Sequence, residues 1–517
     1  MQEAGQHTMT KQACLIGIDV GTSGVKVLAL AHDGKILGSA IEEYPLYTPH
    51  PGWTEQDPQD WWNATVKALK HVLPTCIDYK INGIGFSGQM HGMVALDEDG
   101  HVVRRAILWN DQRTDKQCRE ITEKAGGLEK LLSFTNNQML TGYTGGKILW
   151  LKQEEPDNYA KVDLIVNPKD YIRYKLTGLK MTDVSDASGF GFYNVKDRCW
   201  HEELIKASGL DPAIFPEVVE STDLTGEVLP AAAEETGIPA GTPVSGGGGD
   251  AVISTTGLGL IKPGRVAVTL GTSGVVAMGL PQFMDNPEGS LQLFRGNSPG
   301  TFTAMGVTLA AAGSYHWFRN ALGQHEIEKG KELGKSAFYL LDQLAKETNA
   351  GADGLVYLPY LTGERCPIND PTAKGGFIGL TSQHSKGHFA RAVLEGVAYS
   401  LRQVYDLIAD GMGDTLQGSG EVVLAGGGAS SPLWRQIFAD LFQMPVRTVY
   451  GSAEGGSFGA ALVAGVATGV WPDLAATVPL IRPESETLPN PDNKAVYEKM
   501  YQRYLKMYDA LKWSFED

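Results

Sequence analysis

Several classes of protein are excluded by what this chain lacks. Its five cysteines, Cys14, Cys76, Cys118, Cys199 and Cys366, are scattered, odd in number and without a Cys-x-x-Cys pair. That argues against a disulfide framework and a zinc site, and suits a reducing cytoplasm. No stretch reaches the ~20 apolar residues needed to span a bilayer. Basic residues are in deficit, 44 Lys+Arg against 60 Asp+Glu for a net charge of −16, which removes the electrostatic case for nucleic acid or an anionic membrane. No Gly-x-x-x-x-Gly-Lys-Ser/Thr run follows a strand, so a Walker-type nucleotide site is absent. Residues 1 to 11 are polar and read as a loose leader or an expression remnant.

What remains is the composition of a globular enzyme: 517 residues, 42% hydrophobic and 20% charged, too long for one core and pointing to two large domains. The most informative feature is a duplication. Gly21-Thr22-Ser23-Gly24 recurs as Gly271-Thr272-Ser273-Gly274, each copy between two apolar runs. A strand, a tight turn of this composition and a second strand present backbone N–H and hydroxyl donors where no bulky side chain blocks a phosphate. One such turn is ordinary hairpin chemistry. Two copies half a chain apart, the first preceded by Asp19, suggest one nucleotide gripped by two related lobes.

Around the first copy the pattern predicts strands over Cys14 to Val20, Val25 to Ala31 and from Ile36, a helix over Trp61 to Leu73, and a strand over Ile81 to Phe86. That last strand ends in Ser87-Gly88-Gln89-Met90-His91-Gly92, at the kind of strand end where α/β folds place ligands. The second half repeats the scheme with strands near Val266 to Leu270 and Val275 to Met278, a helix over Phe389 to Ile408, and a strand over Val422 to Ala425. Gly426-Gly427-Gly428 then opens a helix running through Phe442, letting backbone approach a purine and ribose.

Two longer segments carry a family resemblance over essentially the whole chain. The run from Gly142 through Lys147 and Trp150 to Glu154, and the run from Gly375 through Phe377 and Gly379 to Glu395, resemble the two signatures of the FGGY carbohydrate kinases. Those enzymes belong to the actin-like ATPase superfamily. Gln89-Met90-His91-Gly92, Trp109-Asn110-Asp111 and Leu358 to Arg365 are most similar to the xylulokinases within that family. The resemblance implies an α/β fold of two ribonuclease-H-like domains flanking a central cleft. It implies an N-terminal domain over 12–257, mainly for sugar, and a C-terminal domain over 258–510, mainly for ATP. The cofactors implied are ATP and Mg²⁺, and the partners are a small-molecule sugar and ATP, with a homodimer left open and no nucleic acid or membrane.

An alcohol attacks a phosphoryl group only if its proton has somewhere to go. Asp250, ending the glycine run after Ser245, is the expected base and resembles the family's catalytic aspartate. A helix start beside it would favour the ionised carboxylate. A plain helix cap is the alternative for the same residue. Asp19 is expected to position Mg²⁺ through waters, since Mg²⁺ takes only one or two carboxylates. Thr22, Gly271 and Thr272 are expected at the phosphates, and Gly427 and Gly428 at adenosine. For sugar, Met90 would pack on carbon and His91 would donate to a hydroxyl, with Trp109 and Asp111 in the wall. Two departures stand out: Ala251 follows Asp250 where many xylulokinases carry asparagine, and Cys366 replaces a more familiar threonine. D-xylulose leads as substrate, ahead of another ketopentose, a pentitol or a gluconate-like acid. A non-kinase actin-like ATPase is the reading from a different class.

Overall fold

The structure is a computed structural model describing residues 11–262, 264–413, 420–451 and 454–515. Residues 1–10 of the expected leader lie outside it. Two compact units divide the chain. The first runs to Ile261 and takes back Phe294–Phe302 and Glu454–Ile481; the second holds Lys262–Leu293, the chain from Thr303 to before Glu454, and the chain from Arg482.

In the first unit the sheet order is Leu224–Glu227, Pro243–Ser245, Tyr79–Gly88, Gln12–Val20, Gly24–Ala31, Ile36–Glu43, with Gly248–Gly249 pairing onto Tyr79–Gly88. Gln12–Val20 is antiparallel to Gly24–Ala31 and parallel to Tyr79–Gly88, which sets Asp19 opposite Lys26 on one side and Ser87 on the other. The central strands bury Ile16, Ile18, Val27 and Phe86 and read as near-continuous apolar runs, whereas the edge strand Ile36–Glu43 alternates toward solvent. Helix Pro58–Val72 starts where Asp57 caps the Gln59 N–H at 2.9 Å, and it lays Trp61 and Trp62 into this core. A second core, with Met93, Ile121, Ile148, Phe190 and Phe192, supports the loops over 89–142.

Helix Gly455–Ala467, apolar on all sides, explains why the chain returns to the first unit. It lies against Gln12–Val20 and Tyr79–Gly88 so closely that a Cβ on Gly17 would stand 1.8 Å from the Ser457 carbonyl, and one on Gly85 2.0 Å from that of Ala460. Only glycine allows a strand backbone to meet a helix backbone at that range.

The second unit repeats the motif. Its sheet order is Gln292–Arg295, Phe302–Thr308, Gly274–Leu280, Arg265–Leu270, Glu421–Ala425, Val446–Val449, Pro483–Thr487. Arg265–Leu270 is antiparallel to Gly274–Leu280 and parallel to Glu421–Ala425, so Thr269 occupies the place that Asp19 has in the first sheet. The long helix Lys386–Met412 opens with a capping box between Ser385 and His388 and buries Leu394, Val397 and Leu401, while Pro432–Phe442 buries Trp434 and Phe438. The duplicated turns thus sit in equivalent hairpins, and the loops leaving the parallel neighbours are 88–92 in one unit and 426–430 in the other.

Candidate active site

In the first unit a network ties the phosphate-type turn to the loop beyond Tyr79–Gly88. Gln89 donates to the Gln56 side chain at 2.8 Å and to the Gly21 carbonyl at 3.3 Å, and Gln56 donates to the Thr22 carbonyl at 2.7 Å. The Thr22 hydroxyl accepts from the indole N–H of the exposed Trp109 at 3.0 Å and donates to Gln89 at 3.4 Å. Thr22 and Trp109, expected at phosphate and sugar respectively, therefore touch each other. Gln89 is part of the loop motif read from the sequence, but its contact with Gln56 is not legible there, because the two lie far apart along the chain.

Met90 is buried against Gly249, where a Cβ would come within 2.5 Å of its Cγ. His91 is held at a φ of 67°. Its Nδ1 faces the Gly189 carbonyl at 3.1 Å, and its ring packs 4.5 Å from that of Tyr143. A carbonyl only accepts, so Nδ1 carries the hydrogen and Nε2 keeps its lone pair. Burial, then the nearby Lys147 ammonium, lower the imidazole to about 3 and keep it neutral. The expectation that His91 donates to a sugar hydroxyl is corrected: its remaining nitrogen is an acceptor. Lys147, fully buried, spends its ammonium on the carbonyls of His91 at 2.7 Å and Gly142 at 2.6 Å.

Asp111 does not form a wall. It is wholly buried and accepts from the Thr54 N–H at 2.7 Å and from the Arg113 guanidinium at 2.7 and 2.9 Å, which uses its lone pairs inside the protein. It fixes the loop that displays Trp109.

Asp250 is the first residue of helix Asp250–Gly257, with Gly249 in the cap position. Its carboxylate takes the Ala251 N–H at 2.7 Å. Burial, followed by the charge of Asp19, nevertheless pushes its pKa up to about 7, against the pull of the Ala251 and Met90 amides. The helix start was expected to keep this group ionised; burial and a like charge outweigh it. The same shift places its proton affinity where a general base works best near neutral pH. Ala251 offers its amide to Asp250 and no side-chain donor, and Cys366 is buried in the second unit.

Asp19 is itself shifted upward by burial, with Ser87 and Lys26 pulling the other way. Its Oδ1 is buried without a hydrogen-bond partner. A single under-coordinated carboxylate beside a phosphate-type turn fits hydrated Mg²⁺, which needs no cage of protein ligands. Among the described residues no group of three or more His, Cys, Asp or Glu forms such a cage.

Beneath Asp250 lies a charged lattice that no local pattern announces. The Lys169 ammonium reaches Asp170, Asp183 and Asp186 at 2.6, 2.9 and 3.0 Å, and Arg173 reaches Asp170 at 3.3 Å, all essentially buried. Asp183 accepts from the Ser185 hydroxyl at 2.6 Å, and that hydroxyl accepts the Gly249 N–H at 3.0 Å. Ser185 thus fixes the residue immediately before Asp250. Two cations face three carboxylates, and burial raises the proton affinity of Asp186 well above the usual carboxylate range, against the pull of the Lys169 ammonium.

In the second unit a cavity of about 390 Å³ is lined by Gly271, Thr272, Tyr315, Phe338, Gly427 and Trp434, among others. Of the expected phosphate and adenosine residues, Gly271, Thr272, Gly427 and Gly428 line it together. A Cβ on Gly427 would meet nothing within 4 Å, whereas one on Gly428 would stand 2.8 Å from Leu270 and Trp434. Both glycines line the cavity; Gly427 faces open space there, whereas Gly428 also packs against Leu270 and Trp434. Asp342, missed in the sequence, also lines the cavity, accepting from Tyr315 at 2.8 Å and Ser431 at 2.7 Å. Aromatic walls with a few fixed polar groups suit a purine.

The N-terminal domain of the FGGY family of carbohydrate kinases matches residues 14–257, and its C-terminal domain residues 266–468. A xylulose kinase of Bacillus subtilis (strain 168) is 35% identical over 501 residues, covering 96% of this chain and 97% of that protein. The crystal structure of xylulose kinase from Rhodospirillum rubrum superposes with a TM-score of 0.89 at 29% identity, covering 97% of this chain and 99% of that one. A gluconokinase of Bacillus licheniformis is 30% identical over 502 residues, with 96% of each chain covered. With two actin-like sheets, duplicated turns and matches spanning both domains, the chain belongs to the FGGY family of carbohydrate kinases.

Proposed function

We propose that this kinase transfers the γ-phosphoryl group of MgATP to a hydroxyl of D-xylulose, giving D-xylulose 5-phosphate and ADP. The observation that carries the reading is the Asp250 carboxylate, raised to about 7, beside a loop whose Met90 and His91 offer an apolar surface and a neutral acceptor. In this reading Asp250 accepts the proton of the attacking hydroxyl as its oxygen bonds to phosphorus and the bond to the β-phosphate oxygen breaks. His91 Nε2 accepts from a second hydroxyl, Met90 packs on sugar carbon, and Trp109 walls the site. Gly271 and Thr272 meet the phosphates, and Gly427 and Gly428 border adenosine. Mg²⁺, held through water by Asp19, would offset charge on the phosphate oxygens.

A neutral ketose suits this site better than a sugar acid. The lysines next to the loop, Lys147 and Lys169, are engaged by carbonyls and carboxylates of the protein, and Asp19 and Asp250 add negative charge. A carboxylate substrate would face repulsion without a committed cation. The chain acts as a cytoplasmic enzyme in this reading; among the described residues no helix is long and apolar enough to cross a membrane.

ADP release in a coupled assay with MgATP, across D-xylulose, L-xylulose, D- and L-ribulose, xylitol, gluconate and glycerol, tests the proposal. D-xylulose should dominate and Asp250→Asn should abolish the rate. A dominant rate on gluconate would move the substrate while keeping the kinase.

A further inference from the structure

Cys14 and Cys76 take no part in the machinery described above. Cys14 lies in the strand Gln12–Val20, and Cys76 closes the short turn Leu73–Cys76 that follows helix Pro58–Val72. Their sulfurs are 3.5 Å apart although the residues are 62 positions apart, and the Cys14 thiol donates to the Cys76 sulfur. Of the other cysteines, Cys118 and Cys366 are buried and Cys199 is exposed.

The pair is chemically asymmetric. The hydrogen bond from Cys14, helped by Thr75, lowers the Cys76 thiol, while the same contact and burial raise that of Cys14. One sulfur is thus favoured as thiolate and the other as thiol. Both cysteines are buried, Cys14 wholly and Cys76 with 3% of its surface exposed, and Cys76 borders an open cavity of about 820 Å³ in the first unit, together with Ile77, Lys80, Asn82 and Thr468, which is the approach for a small oxidant. Thiolate character and access decide which cysteine oxidises first.

We propose that Cys14 and Cys76 are a paired redox site that closes to a disulfide when the protein meets a peroxide. The Cys76 thiolate attacks one peroxide oxygen; the O–O bond breaks, and with one proton the second oxygen leaves as water, giving a sulfenic acid. The Cys14 sulfur then attacks the Cys76 sulfur, the S–O bond breaks, and the hydroxyl leaves as water with the Cys14 proton. Two thiols lose two electrons and one peroxide becomes two waters. The sulfurs must close by about 1.5 Å to reach bonding distance. A dithiol reductant reverses the reaction. The bond would clip the strand leading to Asp19 onto the turn after the helix, limiting the unfolded chain rather than rebuilding the site.

The full chain treated with a few equivalents of hydrogen peroxide, alkylated, digested without reduction and mapped by mass spectrometry tests this. A peptide linked through Cys14 and Cys76, two mass units lighter than the free pair and lost on adding dithiothreitol, is the expected product. Cys14→Ser should leave Cys76 as a sulfenic acid that dimedone traps. Oxidation of exposed Cys199 while Cys14 and Cys76 both remain alkylated would overturn the proposal, as would Cys76 linked to any other cysteine. The map of the unaltered chain decides the matter even if the variant folds poorly.

Discussion

Asp19 raises the proton affinity of Asp250: after burial, its charge is the largest cause of the shift to about 7. A base must be ionised to act, so kcat/KM for sugar should rise with pH through a limb near 7. In Asp19→Asn the charge is gone, and the limb should move to lower pH while the plateau also falls through weaker Mg²⁺ positioning. A lower plateau with the limb in its original place would break the coupling.

The same shift makes a stability statement. An aspartate that holds its proton to about 7 in the fold and releases it near 3.8 when unfolded contributes most below the unfolded value. Its contribution is lost as pH climbs from about 4 to about 7, because the folded state then binds more protons than the unfolded one. Asp250→Asn removes that burden. Its melting temperature should exceed that of the parent by a few degrees at pH 8 and by little at pH 4, while turnover falls by about 10² or more. Equal melting shifts at both pH values would argue against a partly buried, proton-holding Asp250.

His91 should behave as a neutral acceptor across the working range. His91→Ala should raise KM for the sugar roughly ten-fold, the equivalent of about 1.4 kcal/mol, with a smaller change in kcat. His91→Asn should recover much of the loss, since asparagine tolerates a φ of 67° and retains an acceptor oxygen. If asparagine is no better than alanine, the acceptor role fails.

Charge count under Asp250 separates two substitutions that look alike. Burial favours the protonated form of Asp186, so Asp186→Asn should disturb the charge of the lattice less than loss of its cation and should fold with kcat changed only modestly. Lys169→Met leaves buried carboxylates facing one another without their shared cation and should cost about 3–5 kcal/mol, visible in urea unfolding. Comparable losses in the two variants would mean that Asp186 is ionised.

The legible parts of this fold were those encoded locally. The two Gly-Thr-Ser-Gly turns, the apolar strands around them and the Asp250 glycine run each occupy a dozen residues or fewer, so spacing alone announces them. Ser185 holding Gly249, Asp342 meeting Ser431, and Gln56 meeting Gln89 are contacts between residues tens of positions apart, and side chains of those types are common everywhere. The roles of Asp111 and His91 were misjudged for a related reason. Residue type announces hydrogen-bonding capacity, but only the fold reveals that Arg113 and Gly189 have already used it. Helix Gly455–Ala467 reads as buried from composition, yet nothing in it states which sheet it covers.

Gly427 and Gly428 are indistinguishable in sequence and both line the cavity, but a side chain would meet open space at one and packed neighbours at the other, which permits a paired test. A methyl on Gly427 would meet nothing within 4 Å and project into the cavity, so Gly427→Ala should leave the melting temperature nearly unchanged while raising KM for ATP. A methyl on Gly428 would stand 2.8 Å from the Cβ of Leu270 and from the Trp434 ring. Neither is the loose end of a flexible side chain, so Gly428→Ala forces strand or helix to shift and should destabilise by about 1–3 kcal/mol. Thermal melts with ATP titrations on both variants check the assignment. If the position 427 variant loses stability while the position 428 variant loses only ATP affinity, the two glycines have been assigned the wrong way round.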